Sequence, residues 1–499
     1  MQRASTDIRS LKTEKGILED LLRRLEANPD GGLDGFASIA RRIPHASEQA
    51  NPCTEGEIGL YRPLDATMLA NLNPRWIARF AAAGHEPPQF LEAGPRRLLA
   101  FDPEAVRAAV VTTGGLAPGL NSVVHSIVNR HHGKYRLRSG ALLGIYDGFK
   151  GLQDAHANFI ELEPSMTHSW VHQGGSNLGT RRYRLDETRV AEICKSLSDL
   201  NIQILYVIGG DGSMKIAHRL SLLNPQLCVV GIPKTMDNDV LWVWRSFGFD
   251  TAVAEACNVL NTLHFEARST RRVGIVEFFG AESGFVVANA SLASGNVDLV
   301  LVPEAFLHIK ENGYRGFEAY WDKLMEHLQR VVRDQPWERK EERPHMPHAV
   351  VALAEGVQKV FDLEESRFEL GGRLLKFDAQ AKPSQGAVPE GSFREFLSRC
   401  IEERIRDLHG DPMRVFTNQP QHFIRAVPAN ANDQIYCERL GALAVDNALA
   451  GFTDCMVSQW NTEYVLVPLE LVVAGKKGIP TEGIFWKQVL GSTGQPRYG

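Results

Sequence analysis

Short apolar runs bounded by glycine and polar clusters recur through the middle of the chain, at 108–111, 204–208, 229–232, 273–276 and 299–302. Such fully apolar runs read as buried parallel strands, and the segments between them carry apolar residues at helical spacing. That alternation, from about residue 106 to 301, predicts a doubly wound, parallel-rich α/β sheet flanked by helices. Upstream, Ile17, Leu18, Leu21, Leu22 and Leu25 fall at helical spacing within 13–27, with charges between them. They predict an amphipathic helix that needs a partner surface, either the protein's own body or a second subunit. Residues 28–52 are polar and Gly-rich and read as loop. Residues 334–348, with Pro336, Pro344 and Pro347 among charges, and 379–391, with Pro383, Gly386, Pro389 and Gly391, read as solvent loops.

Two of the predicted strands end in residues able to do chemistry. Ile204-Leu205-Tyr206-Val207-Ile208 runs into Gly209-Gly210-Asp211-Gly212-Ser213, where a helical pattern begins at Ser213. Glycine lets backbone N–H groups approach a phosphate closely, and the start of a helix favours an anion. Asp211 is placed to hold a magnesium ion that offsets phosphate charge. The run Val229-Val230-Gly231-Ile232 leads to Pro233-Lys234-Thr235-Met236-Asp237-Asn238-Asp239. Two carboxylates two positions apart, beside a lysine and a threonine, suit phosphoryl transfer: one accepts the proton of an attacking hydroxyl, the other orients a cation or a metal-bound water. Either segment alone reads equally as an ordinary turn. Together, at the carboxyl ends of parallel strands, they lie where open α/β sheets bind ligands.

Composition narrows the class. The chain has 499 residues, 43% of them hydrophobic, enough for two packed lobes. A formal net charge of −5 argues against nucleic acid as a partner. Seven cysteines, an odd number without a C-x-x-C pair, favour reduced thiols. No apolar run is long enough for a membrane span and no signal peptide is evident, so a cytoplasmic location is expected.

Ordered motifs carry a resemblance to a known family. Ala93-Gly94-Pro95-Arg96-Arg97 is followed by Thr113-Gly114-Gly115-Leu116-Ala117-Pro118-Gly119-Leu120-Asn121, by Gly144 to Leu152, and by Gly174-Gly175-Ser176-Asn177-Leu178-Gly179-Thr180-Arg181-Arg182. After the two turns come Ser246-Phe247-Gly248-Phe249-Asp250-Thr251-Ala252 and, further on, Phe423-Ile424-Arg425-Ala426-Val427-Pro428-Ala429-Asn430. From about residue 91 to 475 the chain resembles the ATP- and pyrophosphate-dependent phosphofructokinases, and the long-chain, plant-like and protist-like branch more than the short bacterial enzymes. The resemblance implies two Rossmann-like lobes with parallel-rich sheets. We expect an N-terminal extension at 1–100, helical and loop, a nucleotide-binding lobe at 101–270, a sugar-phosphate-binding lobe at 271–475 and a tail at 476–499. It also implies small-molecule substrates, a nucleotide and a sugar phosphate, with no nucleic-acid or membrane partner expected, and a homo-oligomer (dimer or tetramer).

The resemblance assigns residues. Gly115, Arg181, Arg182, Gly210, Asp211, Gly212 and Ser213 correspond to nucleotide-binding positions, with Asp211 on Mg2+. Asp237 is the base, and Arg182, Lys234 and Thr235 surround the transferred phosphoryl group. Thr235, Asp237, Asp239, Arg272, Phe279, Gly280, Glu355, His422 and Arg425 correspond to acceptor-binding positions, Arg272 reaching in from a neighbouring subunit. Gly212 stands where pyrophosphate users carry aspartate, and its pairing with Lys234 is the plant-like ATP pattern. ATP is therefore the expected donor and pyrophosphate the less favoured one. The expected reaction is ATP-dependent phosphorylation of fructose 6-phosphate to fructose 1,6-bisphosphate. One departure bears on the acceptor: Phe279-Gly280-Ala281 replaces the family's methionine-glycine-arginine, removing a cation beside the transfer centre. That leaves open the same chemistry on another acceptor, such as sedoheptulose 7-phosphate or a specialised-metabolite sugar or nucleoside phosphate, or a low-activity regulatory subunit.

Overall fold

In the computed structural model the described residues are 11–27, 41–43, 48–154, 158–181, 186–311, 315–334, 346–361, 368–370, 373–375, 392–405 and 413–497. The expected loop at 379–391 lies outside them, as do residues 28–40 and most of 334–348. The chain forms two compact units. The first is built from Lys12–Thr251 and Arg425–Lys477, the second mainly from Ala252–Ile424 and Gly478–Gly499.

The first unit holds a nine-stranded sheet. Its order is Thr67–Leu69, Gln89–Glu92, Glu463–Pro468, Cys455–Trp460, Cys228–Pro233, Ile204–Gly209, Ala108–Thr112, Leu142–Ile145, Phe159–Glu161. The five strands from Cys455–Trp460 to Leu142–Ile145 run parallel, and antiparallel strands flank them. The apolar sequences of Ile204–Gly209 and Cys228–Pro233 follow from burial on both faces. Ala108, Val110, Tyr206 and Val230 point into one hydrophobic core, while Ala109, Val111, Leu205, Val207 and Val229 point into the other. Alternation with period two thus serves two cores, and the polar residues these strands carry, Thr112, Ser458 and Gln459, fall toward their carboxyl ends, where the Thr112 and Ser458 hydroxyls donate to the Gly179 and Trp242 carbonyls.

The order of these strands sets the position of the site. From Ala108–Thr112 the chain passes through the helix Leu120–Val128 to Leu142–Ile145 on one side. It later returns to Ile204–Gly209 on the other side of the same strand. The connection therefore reverses direction between Thr112 and Ile208, opening a crevice at their carboxyl ends.

The amphipathic stretch forms the helix Glu14–Ala27, and Leu18, Leu21, Leu22 and Leu25 are buried in the core that contains Val207, Val229 and Trp242. Its stripe is covered by the protein's own body. The first hundred residues are not only helix and loop, because Thr67–Leu69 and Gln89–Glu92 extend the sheet. Within 28–52, Arg41–Arg42 pairs with Phe452–Thr453 and Gln49–Ala50 with Leu98–Leu99. Such two- to four-residue strands are too short to leave a period in the sequence; their pairing partners create them. All seven cysteines are free.

The second unit contains a four-stranded parallel sheet in the order Leu299–Leu301, Ala349–Ala354, Val273–Phe278, Val415–Asn418. Phe278 pairs with Ala354, so the residues after these two strands emerge side by side.

Candidate active site

At the crevice of the first unit, the strand Ile204–Gly209 leads through Gly210 into the helix Asp211–Leu223. The helix begins at Asp211, two residues earlier than the sequence suggests, with Gly210 as its N-cap. An aspartate in the first turn is favoured by the helix dipole, which outweighs the poor propensity of Gly212. Asp211, Gly212 and Ser213 therefore form the first turn, whose amides face the crevice end of the helix. Gly212 is exposed, and a Cβ added there would meet nothing within 4 Å. Opposite, Gly114 adopts φ +88, and a Cβ there would lie 3.2 Å from Lys234 Nζ, tighter than ordinary contact. Glycine thus serves both the backbone geometry and the close approach of the lysine.

The two turns are tied together. Lys234 Nζ donates to the Gly115 carbonyl, and Thr180 Oγ1 donates to the Gly114 carbonyl at 2.8 Å. Arg181 Nε lies 3.1 Å from Asp147 Oδ2, just past the end of the Leu142–Ile145 strand. Thr235 Oγ1 donates to Asp239 Oδ1 at 3.0 Å and accepts the Asp237 amide at 3.1 Å, so Thr235 fixes the shape of the Lys234–Asp239 turn. Asp239 is buried, and burial pushes its carboxyl above the usual range while the nearby Lys476 ammonium pulls it back. Gly115, Gly210, Asp211, Gly212, Ser213, Lys234, Thr235, Asp237 and Asp239 are thereby gathered at adjacent strand ends. Arg182 lies outside the described residues. A helix N-terminus, a buried lysine, hydroxyls and carboxylates at one sheet edge are what binding and moving a phosphoryl group requires.

The expected acceptor residues divide between the units. Arg425 belongs to the first. In the second, Phe279, Gly280 and Ala281 follow the strand Val273–Phe278, and Glu355 follows Ala349–Ala354. Glu355 Oε1 accepts the Ala281 amide at 3.0 Å, pinning the turn in which Ala281 adopts φ 50. Burial raises the Glu355 carboxyl above its ordinary range, opposed by Lys359. The Phe279 and His422 rings meet edge to face with centroids 6.0 Å apart. Phe279, Gly280, Glu355 and His422 are thus brought together. Arg272 is not: it precedes the strand whose far end carries Phe279, seven residues or about 23 Å away at the usual strand rise.

Comparisons with known proteins identify the family. The family model described as Phosphofructokinase matches residues 107–448. The chain belongs to the phosphofructokinase family. It is 36% identical over 415 residues to an ATP-dependent 6-phosphofructokinase of Borreliella burgdorferi, covering 81% of this chain and 85% of that one. It is 34% identical over 427 residues to the enzyme of that name from Amycolatopsis methanolica, covering 84% and 85%. An Arabidopsis thaliana relative, named ATP-dependent 6-phosphofructokinase 5, chloroplastic, is 33% identical over 411 residues, covering 81% and 69%. The crystal structure of a pyrophosphate-dependent phosphofructokinase from Nitrosospira multiformis has the same fold, with a TM-score of 0.58, 16% identity, and coverage of 79% of this chain and 93% of that one.

In this phosphofructokinase, residues that the motifs do not announce stand around these turns. Lys476 Nζ lies 3.8 Å from Asp211 Oδ2 and 4.0 Å from Asp239 Oδ2. Lys477 donates to Asn238 Oδ1 at 3.0 Å and to the Val243 carbonyl at 2.5 Å; burial lowers it to about 8. In the second unit, Lys359 Nζ stands 3.6 Å from Glu282 Oε1, beside the turn that lacks the family arginine. Buried Glu304 accepts the amides of Gly284 and Ile479, each at 3.0 Å, and so holds the exit of that same turn.

Burial lifts Glu304 from 4.5 to about 7. With the folded value raised, the carboxyl favours the folded state most below about pH 4.5, and that contribution is lost as pH rises through about 7. Glu304→Gln is expected to flatten this part of the profile: between pH 5 and pH 8, wild type should lose more stability than the variant in denaturant melts. Parallel pH profiles would show that Glu304 ionises as freely in the folded chain as in the unfolded one.

Proposed function

We propose that this chain is an ATP-dependent 6-phosphofructokinase, transferring the γ-phosphoryl group of ATP to O1 of fructose 6-phosphate. The observation that carries the reading is the open first turn at Gly212, set beside Asp211 and next to the Lys234–Asp239 turn at the end of the adjacent strand. Relatives named for this activity match four-fifths of the chain, which supports the reading further. On it, the first unit binds the nucleotide through Gly115, Arg181, Arg182 and the Gly210–Ser213 turn, and the second presents the acceptor residues.

Asp237 takes the proton of the attacking hydroxyl, making the oxygen a better nucleophile as it approaches in line. Lys234 and Arg182 stabilise the charge on the moving group, and Lys234 is held ready by its bond to Gly115. Thr235 keeps the turn in place through Asp239 and the Asp237 amide. Glu355 and His422, in the second unit, are acceptor-binding residues, and Arg425, in the first, carries a guanidinium fork suited to a phosphate dianion. Arg272, distant from the other acceptor residues of its unit, fits a contact delivered to a second copy, which supports a homo-oligomer.

Among the described residues no group of three or more His, Cys, Asp or Glu could hold a metal ion. Magnesium is commonly bound through one or two carboxylates, waters and substrate phosphates, and Asp211 with Asp239 beside it fits that manner. When bound there, magnesium offsets charge on the donor's phosphates. Among the described residues no helix is long and apolar enough to cross a membrane, and a cytoplasmic location goes with the reading.

A coupled nucleotide-release assay of the purified protein over a panel of sugar phosphates, with ATP and with pyrophosphate, tests the proposal. Fructose 6-phosphate with ATP should give the highest kcat/KM. A better acceptor in the panel, or a preference for pyrophosphate, would overturn it.

Ala281→Arg examines the departure directly. The new guanidinium should raise turnover on fructose 6-phosphate by about tenfold, because it restores the cation the family carries at this position. Glu282 is already engaged by Lys359 at 3.6 Å, so it is a poor trap for the arginine. The backbone at 281 is left-handed for either residue, so the exchange adds no new strain of that kind. A fall in activity on fructose 6-phosphate would instead mark a pocket rebuilt around Phe279 and His422 for another acceptor.

A further inference from the structure

Lys476 follows all the recognised motifs in sequence yet lies among their carboxylates. Its side chain is 11% exposed, and those of Asp211 and Asp239 are 22% and 8% exposed. Lys215 also approaches Asp211, at 3.9 Å, but it is 52% exposed and its charge is screened by water. The neighbouring residue anchors Lys476. The Lys477 amide donates to the Asp239 carbonyl at 2.8 Å, and the Lys477 ammonium binds Asn238 Oδ1 and the Val243 carbonyl. The backbone that carries Lys476 is therefore fixed to the same turn that carries Asp237 and Asp239.

We propose that Lys476 is a positioning residue of the phosphoryl-transfer site, a tethered cation that stands between Asp211 and Asp239 and yields Asp211 to the divalent ion when the donor arrives. The proposal rests on the reading of Asp211 as the metal-holding carboxylate. Two carboxylates sharing one partly buried ammonium are held in place by it, and they repel each other when it is removed. The same ammonium competes with a metal ion for Asp211. Loss of Lys476 should therefore move two quantities in opposite directions: the site attracts divalent cations more strongly, and it performs transfer less well.

The full chain is prepared as wild type, Lys476→Met, Lys476→Arg and Asp211→Ala. Mn2+ affinity is measured without nucleotide by electron paramagnetic resonance, and kcat and KM are measured separately. Asp211→Ala should lose the Mn2+ affinity of wild type. Lys476→Met should bind Mn2+ about tenfold more tightly, while its kcat falls by about tenfold or more and its acceptor KM changes little. Lys476→Arg should stay close to wild type in Mn2+ affinity and recover most of the turnover, which a purely structural packing role would not require. If Lys476→Met does not fold, Lys476→Gln carries the same expectation, since its amide can still hydrogen-bond a carboxylate without a charge. Mn2+ affinity that is unchanged or weaker in the uncharged variant, while Asp211→Ala loses it, would overturn the role of Lys476 alone. An Asp211→Ala variant that keeps the affinity would overturn both that role and the metal assignment.

Discussion

Asp237→Asn is expected to lose turnover by on the order of a thousandfold or more, with acceptor binding little changed. Asparagine matches aspartate in size, and the Asp237 amide keeps its bond to Thr235 Oγ1, so the turn should hold its shape. What disappears is the group that receives the hydroxyl proton, and that help is felt in the transition state rather than in the bound ground state. The two carboxylates of the turn are not equivalent. Asp239 is buried, accepts from Thr235 and lies near Lys476. Asp237 is the more accessible of the two, which suits a base that must meet a substrate. Steady-state kinetics on fructose 6-phosphate with saturating ATP reads the effect directly. Near-normal kcat in the asparagine variant would remove Asp237 from the role of base.

The parts of this site that are legible in the sequence are those made by neighbours along the chain. The Gly209–Ser213 and Pro233–Asp239 segments combine an all-apolar strand with a turn of unusual composition, and both features are local. The strands Ile204–Gly209 and Cys228–Pro233 are legible because burial on two faces selects apolar residues along their length. The helix start was displaced only by the two residues whose merits compete, Asp211 favouring the first turn and Gly212 opposing it. Lys476 left no such mark. Two consecutive lysines near the end of a chain read as a solvated tail, and only the return of 425–477 to the first unit places one between Asp211 and Asp239. Glu304 is similar: a single glutamate after a proline acquires its role from the amides of Gly284 and Ile479, each remote in sequence. The acceptor residues are named only through the family pattern, and the distance of Arg272 from Phe279 appears only once the strand between them is laid out.

Gly212→Asp should lower kcat/KM for ATP by about a hundredfold and leave use of pyrophosphate far less affected. The variant should fold. Position 212 lies in the first turn of the helix Asp211–Leu223, is exposed, and offers open space to a new Cβ. An aspartate in a first turn also complements the helix dipole, so the melting temperature should hold or rise slightly. The loss with ATP comes from charge. A carboxylate about 4 Å from a nucleotide α-phosphate at an effective dielectric near 20 costs roughly 4 kcal/mol per pair of unit charges, less where water screens them. Pyrophosphate carries no third phosphate and no nucleoside, so it can occupy the transfer positions without entering the space the new carboxylate fills. Measuring kcat/KM for both donors, alongside the melting temperature, separates this effect from general damage. An equal loss with ATP and pyrophosphate in a stably folded variant would mean that position 212 does not face the nucleotide, and the donor assignment would then rest on the relatives alone.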